Sequence, residues 1–367
     1  MQEDFHYYAT YCAAILAGYS HEESMDISYS SQFVDRCSKT LLLRINAPLN
    51  AATTQLQLEM MDARTDIVGL QDITRIWASF HFLPKDLYAV KQGRPKIYMN
   101  KYRLICGPDS DLVKSTVENA KGKTLQAAGI AMHVLADTWA HSNFAGTPSL
   151  VINNTTDDFA EIVSKDGTES ERKIKFRHSP GTPDDIENNI YTNSLYQGSE
   201  NAIMNLGHGR AGHLPDYSFV KFKYLPAWNE YRYLIKDNPL DYMKAFGQMI
   251  YAMKYLRGEE AEFETGRYAD DVIAPYKERI DSIIRKRQLI ASDDWRDFGG
   301  ELSGTAPEEF DETRYQGEYC STSDKEATFL GHFINAAIMH KGMVCDHIYN
   351  SGNPLAGFVW KRIVKKI

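Results

Sequence analysis

Apolar residues recur with helical spacing along most of the chain, and in one stretch they close into an almost unbroken run. Residues 124–142, TLQAAGIAMHVLADTWAHS, are apolar or small nearly all round, the mark of a helix buried on every side. FHYYATYCAAILAG at 5–18 reads as a helix closing on Gly18. HEESMDISYSSQFVDRC at 21–37 reads as another, with Ser20 as N-cap and Glu22 and Glu23 in the first turn, where carboxylates favour the helix dipole. Further helices are expected around 187–208, 240–257, 269–289 and 325–349. Residues 40–60 alternate more than they cycle, so short strands or an extended excursion are expected there. Residues 147–190 are polar and rich in Gly, Pro, Asp and Thr; they read as a long surface excursion able to form a β-hairpin and overhang a site. Residues 291–324 read as loop-rich and acidic, and the tail FVWKRIVKKI as short, basic and amphipathic. No repeat or linker divides the chain. The fold expected is mainly α: one multi-helix domain over 1–367, with a surface insertion at about 147–190 and a helical C-terminal extension at about 221–367.

Composition narrows the function classes. With 43% hydrophobic and 25% charged residues the chain can build a large core. Its net charge of −8 and the lack of a long basic block argue against stable nucleic-acid binding. Five cysteines, at 12, 37, 106, 320 and 345, make no CxxC pair, which excludes a zinc ribbon and leaves buried free thiols as the expectation. The N-terminus lacks a basic stretch before its apolar residues, and no run approaches the roughly 20 apolar residues of a spanning helix. The expectation is a soluble protein, cytoplasmic or exported by a route without a cleaved signal.

The buried-looking run carries chemistry. In AMHVLADTWAHSNFAG, His133, Asp137 and His141 stand four residues apart. Four residues of α-helix turn about 400°, so these side chains share one face, about 6 Å apart along the axis. His133 and Asp137 can hold one ion together, and His141 can reach a second, with Asp137 bridging ions about 3.5–4 Å apart. Imidazole and carboxylate donors suit zinc, with manganese or iron as substitutes. A lone buried histidine is more often a hydrogen-bonded core residue, but a buried carboxylate without a partner is costly, and no Lys or Arg lies between 124 and 146. One helix cannot complete such a site. Further donors stand at the ends of apolar segments: Asp4 and His6 in DFHYY, Asp35 in SSQFVD, His81 in FHFLP, and His208, His213 and Asp216 in GHGRAGHLPD. The C-terminal His332, His340, His347 and Asp346 offer a weaker second set, for which packing is the default reading. HExxH, GxSxG and P-loop motifs are absent, and GHGRAG lacks the spacing of a dinucleotide loop.

In that order these motifs resemble the zinc-dependent phospholipase C and S1/P1 nuclease superfamily, and most nearly a bacterial family of no assigned activity within or beside it. The resemblance spans roughly residues 4–220 and leaves 221–367 without a matching motif. It implies an α-helical fold with up to three zinc ions at the bottom of a cleft. His6 would serve an ion near the N-terminus; Asp35, His81 and His133 would hold another, with Asp137 bridging the two. His141, His208 and Asp216 would hold the remaining one. In the phospholipases a free N-terminal Trp gives its amino group and carbonyl to a zinc; here Met1 precedes His6 by five residues, and Asp4 is the candidate substitute. The implied activity is hydrolysis of a phosphoester, phospholipid first, by a metal-activated water that Asp35 orients or deprotonates. The alternatives are a nuclease-type phosphodiesterase and a non-enzymatic interaction protein with a structural metal.

Overall fold

The computed structural model describes residues 1–165, 167–177, 181–193 and 206–357. Helix accounts for 54% and strand for 9%, so the fold is mainly α. The expected buried helix is Leu125–Ala140, capped by the Thr124 hydroxyl, which accepts the Ala127 amide. Every residue from Gln126 to Ala140 is buried. Five helices pack against it: His21–Phe33, Ile67–Phe80, Asp111–Ala120, Asn238–Arg257 and Phe329–Asn350. This explains its sequence, since a helix touched on all sides has no face left for water. Asn238–Arg257 and Phe329–Asn350 both come from the region read as a C-terminal extension, and both touch the central helix.

Gly129 sets the spacing of the central pair. A Cβ there would overlap the Ile27 carbonyl oxygen and come within 2.6 Å of the Ser30 Cβ. Backbone on backbone cannot yield as a flexible side chain does. Gly129→Ala is therefore expected to destabilise the fold by about 2 kcal/mol even after the roughly 1 kcal/mol that alanine gains in a helix. Urea unfolding of the variant checks this; an unchanged or raised midpoint would show that the two helices can part freely.

The first helix begins as a π-helical stretch, Asp4–Ala9, and continues as α-helix Thr10–Leu16, with Gly18 at φ +88° closing it. Ser20 and Glu23 form a reciprocal capping box at the start of His21–Phe33. Residues 40–60, expected extended, are instead Lys39–Arg44, a 3-10 turn Leu49–Ala51, and the start of Gln57–Ala63. The Ser38 hydroxyl caps the first of these by accepting the Leu41 amide, and Leu41 and Leu42 go into the core. The 269–289 helix is broken into Asp270–Ile273, a 3-10 turn Ala274–Tyr276, and Lys277–Arg285, because Pro275 cannot donate to the ladder. The acidic stretch 291–324 holds two helices, Ser292–Ser303 and Gln316–Ser321. Trp295 anchors the first, edge-on to Phe5 at 6.0 Å and 5.3 Å from Phe246.

The excursion forms the expected hairpin: β1 (Ala160–Lys165) pairs antiparallel with β2 (Thr168–Lys173) around Gly167 at φ +76°. Two short strands, β3 (Lys175–Arg177) and β4 (Ile190–Thr192), pair in parallel. β5 (Lys221–Tyr224) and β6 (Leu234–Asp237) complete a four-stranded antiparallel sheet, order β2-β1-β5-β6. Around 187–208, expected helical, the described part is β4 and a set of turns from Leu206 onward; 194–205 lie outside the described residues, as does the tail 358–367. The sheet packs through Phe159, Phe222 and Tyr224 on Phe82 and Phe144, an aromatic cluster beside the C-terminal end of the central helix. Cys12, Cys37, Cys106 and Cys345 are buried free thiols and Cys320 is exposed. No helix among the described residues is long and apolar enough to cross a membrane.

Candidate metal centre

The three donors of the central helix face one space, and four other segments bring donors to it. Asp137 is its hub. Its Oδ1 lies 3.1 Å from His6 Nε2 and 2.8 Å from the Met1 amine. Its Oδ2 lies 3.2 Å from His81 Nδ1, 3.3 Å from His133 Nε2 and 3.4 Å from His141 Nδ1. Three neighbouring triads result: His6, His133 and Asp137; Asp35, His81 and His133; and His141, His208 and Asp216. Within each, one donor atom per residue lies within 4.8 Å of the others. His133 belongs to two of them, and its ring stacks on that of His6 at 3.8 Å.

Second partners fix how these rings are protonated. His141 Nδ1 lies 2.7 Å from the His81 carbonyl oxygen, His81 Nε2 lies 3.0 Å from that of Thr53, and His208 Nδ1 lies 2.7 Å from that of Gly212. A carbonyl only accepts, so each of those nitrogens carries the hydrogen and the other presents a lone pair. Those lone pairs face carboxylates: His141 Nε2 is 3.2 Å from Asp216 Oδ1, His208 Nε2 is 3.6 Å from Asp216 Oδ2, and His81 Nδ1 faces Asp137. A lone pair facing a carboxylate repels it unless a cation lies between, and metal-binding histidines are held in this way by a carbonyl on the far nitrogen. The residues therefore fit a divalent cation. The Met1 ammonium is the positive group among them, 2.8 Å from Asp137, 3.2 Å from Asp216 and 3.1 Å from His141 Nε2.

Burial works to raise the Asp137 carboxyl, but His141, the Met1 ammonium, His6 and His133 outweigh it and hold the group well below the usual carboxylate range. Asp216 is depressed in the same way, burial being opposed by His208 and the ammonium. Burial favours a neutral amine at Met1, yet Asp137 and Asp216 raise it to about 11. Burial, with His133 beside it, lowers His6 to about 4, and burial lowers His208 to about 4.

Local sequence explains the placement. His6 sits within the π-helical stretch, whose wider turn is frequent at functional sites. His81 ends the Ile67–Phe80 helix, and the following Pro84 bridges to Cys106, whose amide donates to the Phe144 carbonyl at 2.7 Å. The loop of His208 needs its glycines: Gly207 at φ +55° lies against the Phe82 ring, and Gly212 at φ +59° against the Thr192 carbonyl. In GHGRAG the glycines thus shape a ligand loop.

Two candidates fall outside the triads. Asp4 accepts the Ala291 amide at 2.9 Å and joins no donor group; burial raises it to about 6. The Met1 amine is in the cluster in its place. The resemblance implies an N-terminal amine at this place, but residue type alone gives no reason to prefer Met1 over Asp4. His213 is exposed and touches Asp216 Oδ2 at 3.4 Å, a contact that raises its pKa, but it belongs to no triad. The C-terminal set does not assemble among the described residues: His340 Nε2 donates to the Ser79 carbonyl at 2.8 Å, and His332 and His347 join no donor group. His340 is a core residue, and burial lowers it to about 4. Its side chain in the unfolded chain takes a proton near the ordinary value of 6.5, so through that window the unfolded state holds the extra proton. Stability should fall as pH drops from 6.5 towards 4. His340→Gln should flatten part of that slope, read from urea midpoints at several pH values; an identical slope would remove His340 from the account.

A cleft of about 920 Å³ opens above the cluster. Met1, Gln32, Asp35 and Asp216 line it from the helical side, Gly181–Asp184 and Thr192 from the excursion, and Leu289 and Ile290 from the far wall. Asp35 lies between cleft and cluster: 30% exposed, 3.8 Å from His81 Nδ1 and 3.9 Å from His133 Nε2.

Fold and site together define a mainly helical protein with a buried histidine–carboxylate cluster beneath an open cleft. Over residues 1–348 the chain matches a family of unknown function, DUF6765, and it belongs to that family. No curated protein and no solved structure matches it.

Proposed function

We propose that the chain is a metal-dependent hydrolase of phosphoesters, with zinc as the metal and a phospholipase C-like phosphodiester reaction ahead of a nuclease-type one. The observation that carries this reading is the meeting of the cluster with the cleft, where Asp35 and Asp216 present carboxylates to both. His6, Asp35, His81, His133, Asp137, His141, His208 and Asp216 would hold the ions. Bound there, divalent metal supplies charge neutralisation for a phosphoryl group and acidity for a water near neutral pH. The protein's part is to hold the donors rigid and the imidazoles oriented, with Asp35 close enough to the cleft to orient or deprotonate a water.

Elemental mass spectrometry and hydrolysis of bis(p-nitrophenyl) phosphate, on wild type and Asp35→Asn, test this. Expected are two or three metal ions per wild-type chain, and in the variant a rate lower by about 10²–10³-fold with at most one ion lost. A metal-loaded wild type that hydrolyses no phosphoester would sink the proposal. One tightly held ion and no turnover would favour a purely structural metal, a second reading motivated by the complete burial of the His6–His133–Asp137 triad.

A further inference from the structure

We propose that the excursion Lys85–Arg103 is a docking surface for an anionic lipid bilayer. The segment leaves the fold at the Pro84–Cys106 bridge, where the Lys85 amide donates to the Ile105 carbonyl at 2.8 Å. Between those ends it carries six basic residues, Lys85, Lys91, Arg94, Lys96, Lys101 and Arg103, against a single acid, Asp86, in a chain whose net charge is −8. Lys91 and Arg94 share Glu230, at 3.5 and 3.4 Å. Lys85, Lys96 and Lys101 make no ion pair among the described residues.

The same segment exposes large apolar side chains. Tyr88 is 69% exposed, Val90 75% and Ile97 72%. Ile97 and Lys101 are four apart on the Lys96–Tyr102 helix, so an apolar and a cationic side chain stand on one face. Leu87 and Met99 are buried and anchor the excursion, so this exposure belongs to an ordered element. Lys91 lies over the Tyr102 ring at 5.7 Å and Arg94 over Tyr98 at 5.0 Å, drawing the loop along the helix.

Cations around protruding aliphatic side chains match a bilayer whose headgroups are anionic and whose next layer is apolar. A nucleic acid fits less well, because two of the three most exposed apolar side chains, Val90 and Ile97, offer no ring for a base to stack on, leaving Tyr88 as the exposed ring. Neither the cluster nor the cleft enters this inference, so it stands or falls apart from the hydrolase reading.

Co-sedimentation of the full chain with vesicles tests it, using phosphatidylcholine alone and phosphatidylcholine with about a quarter phosphatidylglycerol. Binding is expected only to the anionic vesicles, with release at about 0.5 M salt. The double variant Lys96→Glu/Lys101→Glu should bind at least about tenfold more weakly. Ile97→Asp should also weaken binding without moving the thermal midpoint, since that side chain is already in water. Equal binding to neutral vesicles, no binding to either, or undiminished binding by the variants would each overturn the proposal. So would retention of a single-stranded oligonucleotide in place of vesicles, which would assign the surface to nucleic acid.

Discussion

Asp137→Asn is expected to cost the protein at least two bound metal ions and at least about 10³-fold in phosphodiester hydrolysis. The substitution changes almost no volume, so packing around the central helix should hold. It removes the one negative charge whose two oxygens reach His6, His81, His133, His141 and the Met1 amine. The asparagine amide is neutral, and its N–H groups can donate to the imidazole lone pairs that would otherwise bind a cation. The buried ammonium would keep only Asp216 as a carboxylate partner at 3.2 Å, and leaving a buried charge short of its partner costs about 3–5 kcal/mol. Metal content, turnover and urea midpoint should therefore fall together. A variant that kept all its metal would show that Asp137 is not the hub its contacts describe.

Metal occupancy should govern stability to a comparable degree. Asp35, Asp137 and Asp216 converge with five imidazoles in a largely buried space. A cation that binds the folded chain and not the unfolded one stabilises it by about 4 kcal/mol at a thousandfold excess over its Kd. Chelator-treated protein should melt well below the zinc-loaded form, and the midpoint should climb with zinc concentration. Calcium, which prefers an all-oxygen shell, should do far less than zinc. A midpoint indifferent to zinc would leave the cluster as a hydrogen-bonded polar core.

The parts legible in the sequence were those set by local rules. The all-apolar run at 124–142 predicted a helix packed on every side, and the Ser20 capping box was readable because its partners are three residues apart. The donors could be named from residue type and their place at segment ends. Where tertiary packing decides, the sequence misled. The alternation at 40–60 hid a helix that Ser38 caps and the core captures. The acidic 291–324 hid one pinned by a single tryptophan against Phe5 and Phe246. Asp4 looked like a ligand, while the group actually present was a backbone amine.

The architecture also has a consequence in time. Every donor of the cluster has been synthesised once Asp216 is made, but the Phe329–Asn350 helix that covers one side of the central helix begins 329 − 216 = 113 residues later. At about 5–20 residues per second that is roughly 6–23 s. For that interval a complete set of ligands can exist on a chain whose central helix is still bare on one flank. Under the proposed metal binding, supply during translation, and not only after release from the ribosome, becomes part of what decides whether the nascent chain collapses around its cluster or around an unpaired set of buried charges.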